Sequence, residues 1–216
     1  MKKYAYLLLT LFMGVQVVSF AQYDTKAKEI LDAMSNKYKN ISAYKAKFST
    51  SLVNKIDGVN ETFKGEITIK GDKYILYTEE QTVINNGTTV WTYLPDVNEV
   101  NIDVYDPDDD EITPSSIFDE YKKGYKYIWI ENTTQEGVAC DVVDLIPNDT
   151  KSSQFFKIKM IISSKDKTLK KWTMFEKSGN QHIYIISNFN SSISISDAVF
   201  KFDESKFPDV EVVDLR

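Results

Sequence analysis

Catalysis by side chains needs a nucleophile, a base or a set of metal ligands held together, and this sequence supplies few candidates. There is one His, His182, and one Cys, Cys140. His182 stands in the alternating stretch "HIYIISNFN", where a partly exposed strand residue is the simplest reading. Cys140 lies in "VACDVVDLIP", where a small buried thiol is expected rather than a thiolate. No GxSxG, HExxH or phosphate-cradling glycine loop is present. The densest titratable group is "DVYDPDDDE", with six carboxylates from Asp103 to Glu111. Asp106, Asp108 and Asp110 alternate like the first ligands of a calcium loop. The match then stops, because Glu111 stands where the turn glycine is required and Ile117 where the bidentate Glu is required. The run reads as a solvated acidic loop, and the chain as a protein without catalytic residues, cofactor or metal, and so not an enzyme.

The elements that would position any site are mostly strands. Near the start, "AKEILDAMSNKYKNI" carries Ala27, Ile30, Leu31, Met34, Tyr38 and Ile41 on one stripe at spacings of three and four, which predicts an amphipathic helix. After it the period changes to two. In "YKAKFSTSL", Ala46, Phe48 and Leu52 share a face; in "TFKGEITIK", Phe63, Gly65, Ile67 and Ile69 do so opposite Lys64, Glu66, Thr68 and Lys70. Such alternation predicts half-buried antiparallel strands. "KIDGVN", "KGDK", "INNGT", "SSKDK" and "EKSGNQ" punctuate them with turn residues, several of which accept positive φ. With "KYIWIE", "VACDVVDLIP", "QFFKIKMIIS", "LKKWTMFE" and "HIYIISNFN", about ten strands form one meander. A long excursion from Asp103 to Gly124 interrupts it, with a helix-like segment through Ile117, Phe118 and Tyr121. The stretch "NNGTTVWTYLP" adds a strand with more aromatic and aliphatic surface than one face requires.

The first twenty-one residues, "MKKYAYLLLTLFMGVQVVSFA", have a basic start, an apolar run and small residues at Ser19 and Ala21, the pattern of a cleaved signal peptide ending before Gln22. A retained anchor would need about 20 apolar residues with basic flanks. The lone Cys140 lies far from any lipidation position, and one Cys allows no internal disulfide. Residues 22–216 suffice for a single domain resting on its hydrophobic core. Without Lys2 and Lys3, 24 of the 26 basic residues remain against 32 acidic ones, a balance of −8. Nucleic acid and anionic membrane surfaces are therefore poor standing partners. With 13 Tyr and 12 Phe, the composition suits strands and apolar pockets.

The succession "AKEILDAMSNKYKNI", "AKFS", "GEITIK", "KY", "NNGTTVWTYLPDVNEV", "TPSSIF" and "FKFDESKFPDVEVVD" resembles the LolA family, periplasmic carriers of outer-membrane lipoproteins. The closing Phe202, Phe207, Pro208, Val210 and Asp214 belong to that order. The resemblance implies an α+β, mainly antiparallel fold: an incomplete, half-open β-barrel of about eleven strands, covered by short helices acting as a lid. It implies a monomeric periplasmic protein whose cargo is triacylated lipoproteins, received from an inner-membrane Lol ABC transporter and delivered to the outer membrane, with the acceptor left open. Many members follow "GEITIK" with an Arg-Pro pair, whereas Lys70 here leads into "GDKY"; Lys70 or Lys73 would have to supply a charge there, or both are solvated turn residues.

Strand alternation assembles a candidate acyl-chain lining of Phe48, Phe63, Ile67, Ile69, Tyr74, Leu76, Trp91, Tyr93, Phe156, Ile158, Met160, Trp172, Met174, Tyr184 and Ile186. The lid would be formed by Ile30, Leu31, Met34, Ile117, Phe118 and Tyr121. Period two groups faces without saying which face looks inward, so each lining residue has an alternative role as ordinary core. Two other readings stay open: a related-fold binder or sensor of other envelope lipids, and a structural module whose aromatics are only core.

Overall fold

The computed structural model describes residues 24–106 and 116–216, so the expected signal peptide and most of the acidic run lie outside the described residues. The helical stripe forms α1 (Thr25–Lys39). Asp24 caps its start, its side chain accepting from Ala27 N at 3.1 Å, and Lys37 and Lys39 sit in the last turn, where cations favour the helix dipole. Ala27, Ile30, Leu31, Met34 and Tyr38 are buried as the spacing requires, and Ser35 joins them. Among the described residues α1 is the one α-helix; Glu120–Lys122, Asp197–Val199 and Glu204–Lys206 are single 3-10 turns. The roof therefore contains one helix and a turn, where several short helices were expected.

Among the described residues twelve strands make one sheet, against the expected eleven or so. They are β1 (Tyr44–Asn54), β2 (Val59–Lys70), β3 (Lys73–Thr78), β4 (Thr82–Asn85), β5 (Thr89–Leu94) and β6 (Glu99–Val104), then β7 (Tyr125–Gln135), β8 (Val138–Pro147), β9 (Phe155–Ser163), β10 (Leu169–Glu176), β11 (Gln181–Asn190) and β12 (Glu211–Asp214). Their order is β12-β6-β5-β4-β3-β2-β1-β11-β10-β9-β8-β7. Two antiparallel meanders, β1–β6 and β7–β11, are thus joined where β1 pairs with β11 (Phe48 opposite Ile186, Leu52 opposite His182). The sheet is not one continuous meander, and β12 runs parallel to β6. Neither edge strand pairs with the other, so the sheet stays unclosed.

One apolar cluster holds Leu31, Met34 and Tyr38 of α1 together with Tyr74 of β3 and Tyr127 of β7. Those strands are seven steps apart in the sheet order. A flat sheet would separate them by roughly 34 Å at about 4.8 Å per strand, far more than the ~10 Å width of a helix can bridge. The sheet must therefore curl around α1, as strongly twisted sheets of this size do.

Gly65 shows how tightly the curl is made. It sits opposite Phe48 and Thr78, and a Cβ there would lie 2.2 Å from the Tyr77 carbonyl oxygen and 2.6 Å from the Phe48 ring. A mid-strand glycine marks such a close backbone approach.

Candidate functional site

The concave face can be followed strand by strand through the register. One row runs Phe63, Thr50, Tyr184, Trp172, Met160, Val143 and Trp129, crossing β2, β1, β11, β10, β9, β8 and β7. A second runs Leu52, His182, Met174, Ile158, Leu145 and Tyr127. Toward β3, Ile67 faces Leu76 and Ile69 faces Tyr74, with Phe48 and Ile186 between the two groups. The wall formed this way is almost wholly apolar. Trp172 and Tyr184 stack with centroids 4.5 Å apart and planes 7° from parallel. Twelve of the fifteen expected lining residues share this face: Phe48, Phe63, Ile67, Ile69, Tyr74, Leu76, Ile158, Met160, Trp172, Met174, Tyr184 and Ile186.

Trp91 and Tyr93 do not. Trp91 pairs with Ile84 and Ile102, whose side chains point to the convex face, and packs in a separate cluster with Ile84, Val100, Phe200 and Phe202. Tyr93 lies 4.4 Å from the Phe207 ring and 5.5 Å from Phe202. Residues after β11 cross the back of the sheet and lay Ile195, Phe200, Phe202, Phe207 and Val210 over β3–β6 before joining as β12. The aromatic residues that carry the family resemblance in β5 and near the C-terminus therefore brace the outside of the sheet.

Phe156 is also displaced. A register irregularity between Phe175 and Glu176 shifts the alternation by one residue. Phe155 consequently joins the concave cluster, while Phe156 stays 44% exposed beside Phe175, 6.0 Å away.

The six expected lid residues are brought together over the concave face. Leu31, Met34 and Ile117 are at most 1% exposed, and Ile30, Phe118 and Tyr121 are also buried in the same cluster. Phe118 stacks on Tyr38. α1 is tied to the sheet at both ends: Trp129 N donates to Asp24 Oδ2 at 2.9 Å, and Leu169 N donates to Tyr38 Oη at 3.1 Å.

A polar latch joins α1 to the segment 116–122. Asp119 Oδ1 accepts from Ser35 Oγ and Lys122 Nζ, each at 2.5 Å, and its Oδ2 pairs with Lys39 at 3.1 Å. Tyr121 Oη donates to Asp32 Oδ1 at 2.5 Å. Partial burial alone would raise the Asp119 pKa, but the bonds from Lys122, Ser35 and Lys39 outweigh it and hold the carboxyl at about 2. Sequence reading missed this network, because Ser35, Asp119 and Lys122 are ordinary surface types until the fold brings them together.

The roof leaves part of the wall uncovered: Phe63 is 37% exposed, and Trp172, Tyr184 and Ile186 are half-buried. The site is thus a curved apolar wall under a helical roof that is held in part by polar contacts.

The sequence model of a family described as "Outer membrane lipoprotein carrier protein LolA" matches residues 39–203. The chain belongs to the LolA family. Its fold is shared with an uncharacterized conserved protein from Thermus thermophilus (12% identity, TM-score 0.60, covering 88% of this chain and 99% of that one). Lower-scoring similarities include a LolA superfamily protein from Nitrosomonas europaea (13%, TM-score 0.44, covering 82% and 98%) and a putative outer membrane lipoprotein-sorting protein domain from Vibrio parahaemolyticus (13%, TM-score 0.46, covering 82% and 96%). No curated protein matches. In this LolA-family chain the position after "GEITIK" is filled differently from the Arg-Pro pattern. Lys70 and Lys73 both pair with Asp197, at 2.6 and 2.9 Å, and Lys70 also donates to the Ile195 carbonyl at 2.8 Å. They fasten the C-terminal crossing to the β2–β3 hairpin and lie away from the helical roof.

Cys140 is fully buried, donates to the Val138 carbonyl and has its thiol pushed up by burial, the opposite of an activated nucleophile. Asp108, Asp109, Asp110 and Glu111 lie outside the described residues, and among those described no group of His, Cys, Asp and Glu gathers as a metal site. No helix among the described residues is long and apolar enough to cross a membrane.

Proposed function

We propose that this protein is a periplasmic carrier that holds the acyl chains of lipoproteins against the concave wall and moves them from the inner to the outer membrane. The observation that carries the reading is a wall too apolar to stand bare, roofed by one helix and one turn fastened through a few polar contacts. Burying a methylene contributes about 0.8 kcal/mol, so one chain of about fifteen gains roughly 12 kcal/mol. Three chains fully buried would pass the practical ceiling of about 18–21 kcal/mol. A carrier that must release its cargo needs an opposing term, and undocking α1 with Ile117, Phe118 and Tyr121 supplies one, because ligand and roof compete for the same wall.

On this reading residues 1–21 direct export, residues 22–216 act as a single monomeric domain, an inner-membrane Lol ABC transporter is the donor and no catalytic residue takes part. Native mass spectrometry of protein purified from its own envelope tests the reading. Co-purifying triacylated lipopeptide is expected, and a clean ligand-free mass under mild conditions overturns it.

A further inference from the structure

The apolar rows of the concave wall end, away from Tyr38 and Phe118, at a knot of polar side chains. Glu176, only 9% exposed, accepts from Ser178 Oγ at 2.6 Å, Asn180 Nδ2 at 3.1 Å, Gln154 Nε2 at 3.2 Å and His182 Nε2 at 2.5 Å. Asn180 Oδ1 accepts in turn from the buried Asn54 at 2.8 Å. Four donors fill the acceptor sites of an ionised carboxylate. The bond from Ser178, followed by those from His182 and Asn180, holds Glu176 below the usual carboxylate range against the opposing effect of burial. Nε2 of His182 therefore carries the hydrogen, and in the neutral ring Nδ1 is an acceptor, with no hydrogen-bond partner among the described residues. The ring stands in the apolar row between Leu52 and Met174, with Phe155 edge-on at 6.0 Å. A half-exposed imidazole, oriented by a buried carboxylate and offering one open acceptor beside an apolar wall, is a recognition group. Packing alone would be served better by Leu or Phe, since burying the pair costs desolvation.

The chemistry that fits this boundary is the junction of an acylated cysteine, where hydrocarbon gives way to an amide. We propose that His182 Nδ1 accepts the amide N–H of the cargo's N-acylated cysteine. Cargo then lies with its chains toward α1 and its peptide leaving beside the loops after β1 and β10. Acyl lipids without an amide N–H lose this contact, so the site prefers lipoproteins to diacyl phospholipids. The inference rests on the carrier reading and assigns polarity and selectivity to the same wall.

The test measures binding of three probes by calorimetry or displacement of a fluorescent fatty acid. They are an N-palmitoyl, S-diacylglyceryl cysteine peptide, a phosphatidylcholine with the same chains, and palmitate. For His182→Phe, lipopeptide affinity should fall about tenfold, the scale of one lost hydrogen bond, with phosphatidylcholine and palmitate unchanged. His182→Gln, which keeps an acceptor, should restore part of the loss. Circular dichroism melts confirm that each variant is folded. An unchanged lipopeptide affinity in folded His182→Phe, or an equal fall for all three probes, overturns the proposal while the carrier reading stands. Failure of the unaltered protein to bind any of the three overturns both.

Discussion

On the proposed carrier reading, roof and ligand compete for one surface, so weakening the roof should tighten lipid binding even as it destabilises the fold. Leu31 has no exposed surface and lies in the cluster that includes Leu145, Ile158 and Met160. Leu31→Ala removes buried methyl groups and leaves a cavity, at a cost of about 2.7–5 kcal/mol in comparable cores. Taking about 3 kcal/mol, melting should fall by roughly 6–12 °C for a domain of this size. In the ligand-free protein that loss falls on α1 docking. A ligand that must displace α1 therefore meets about 3 kcal/mol less opposition, and its apparent affinity rises by up to about a hundredfold. The gain is capped at the point where docking is no longer favoured. Titration of a fluorescent fatty acyl probe into both proteins, beside calorimetric melts, measures the two effects on one sample. A variant that melts lower yet binds the probe equally or more weakly would refute the competition, since α1 would then be a wall of the site rather than its roof.

The latch should respond to acid. Asp119 has its pKa depressed from about 3.8 to about 2, so its stabilisation is present above the unfolded value and is lost as pH falls through roughly 4 to 2. Fluorescence of a probe on α1 should report loosening in that window, and Asp119→Asn should abolish that component; an identical profile in the variant would count against the latch. Gly65→Ala should destabilise the sheet by at least about 2 kcal/mol, read from the urea midpoint, because the new Cβ meets the Tyr77 carbonyl 2.2 Å away. Adding Phe48→Ala should not rescue it, since that oxygen is backbone; full rescue would mean the Phe48 ring alone sets the limit. Acylated peptide should shift the emission of Trp172, in the half-exposed part of the wall, and leave that of Trp91, behind the sheet, unchanged when each is followed in variants lacking the other tryptophans. A Trp91 response equal to that of Trp172 would show that the ligand reaches the convex cluster.

Much of the scaffold was legible locally. Spacing of three and four marked Ile30, Leu31, Met34 and Tyr38 because a helix that folds against anything must bury one stripe. Alternation grouped Phe63, Ile67 and Ile69 because successive strand side chains point to opposite faces. Asn86–Gly87 marked a hairpin, and Gly87 adopts φ 90° there. Phe156 was misplaced because a bulge changes the parity of everything beyond it, and no residue in "QFFKIKMIIS" announces one. The latch was invisible, since Ser35 and Asp119 are 84 positions apart and meet only after the sheet has curled.

Sequence alone determined which residues of each strand travel together and where the chain turns. It also ordered the motifs that place the chain in its family. Tertiary structure decided which face each group occupies. Trp91 and Tyr93 form a consistent pair by alternation, yet they look outward because the segment after β11 crosses behind β3–β6 and buries them there. Phe63 and Tyr184 look inward because β1 pairs with β11 across more than a hundred residues. Period two is a local property of the backbone, identical for both faces. The inward face is fixed only when distant segments compete to cover one side or the other, and that competition leaves no local mark in the sequence.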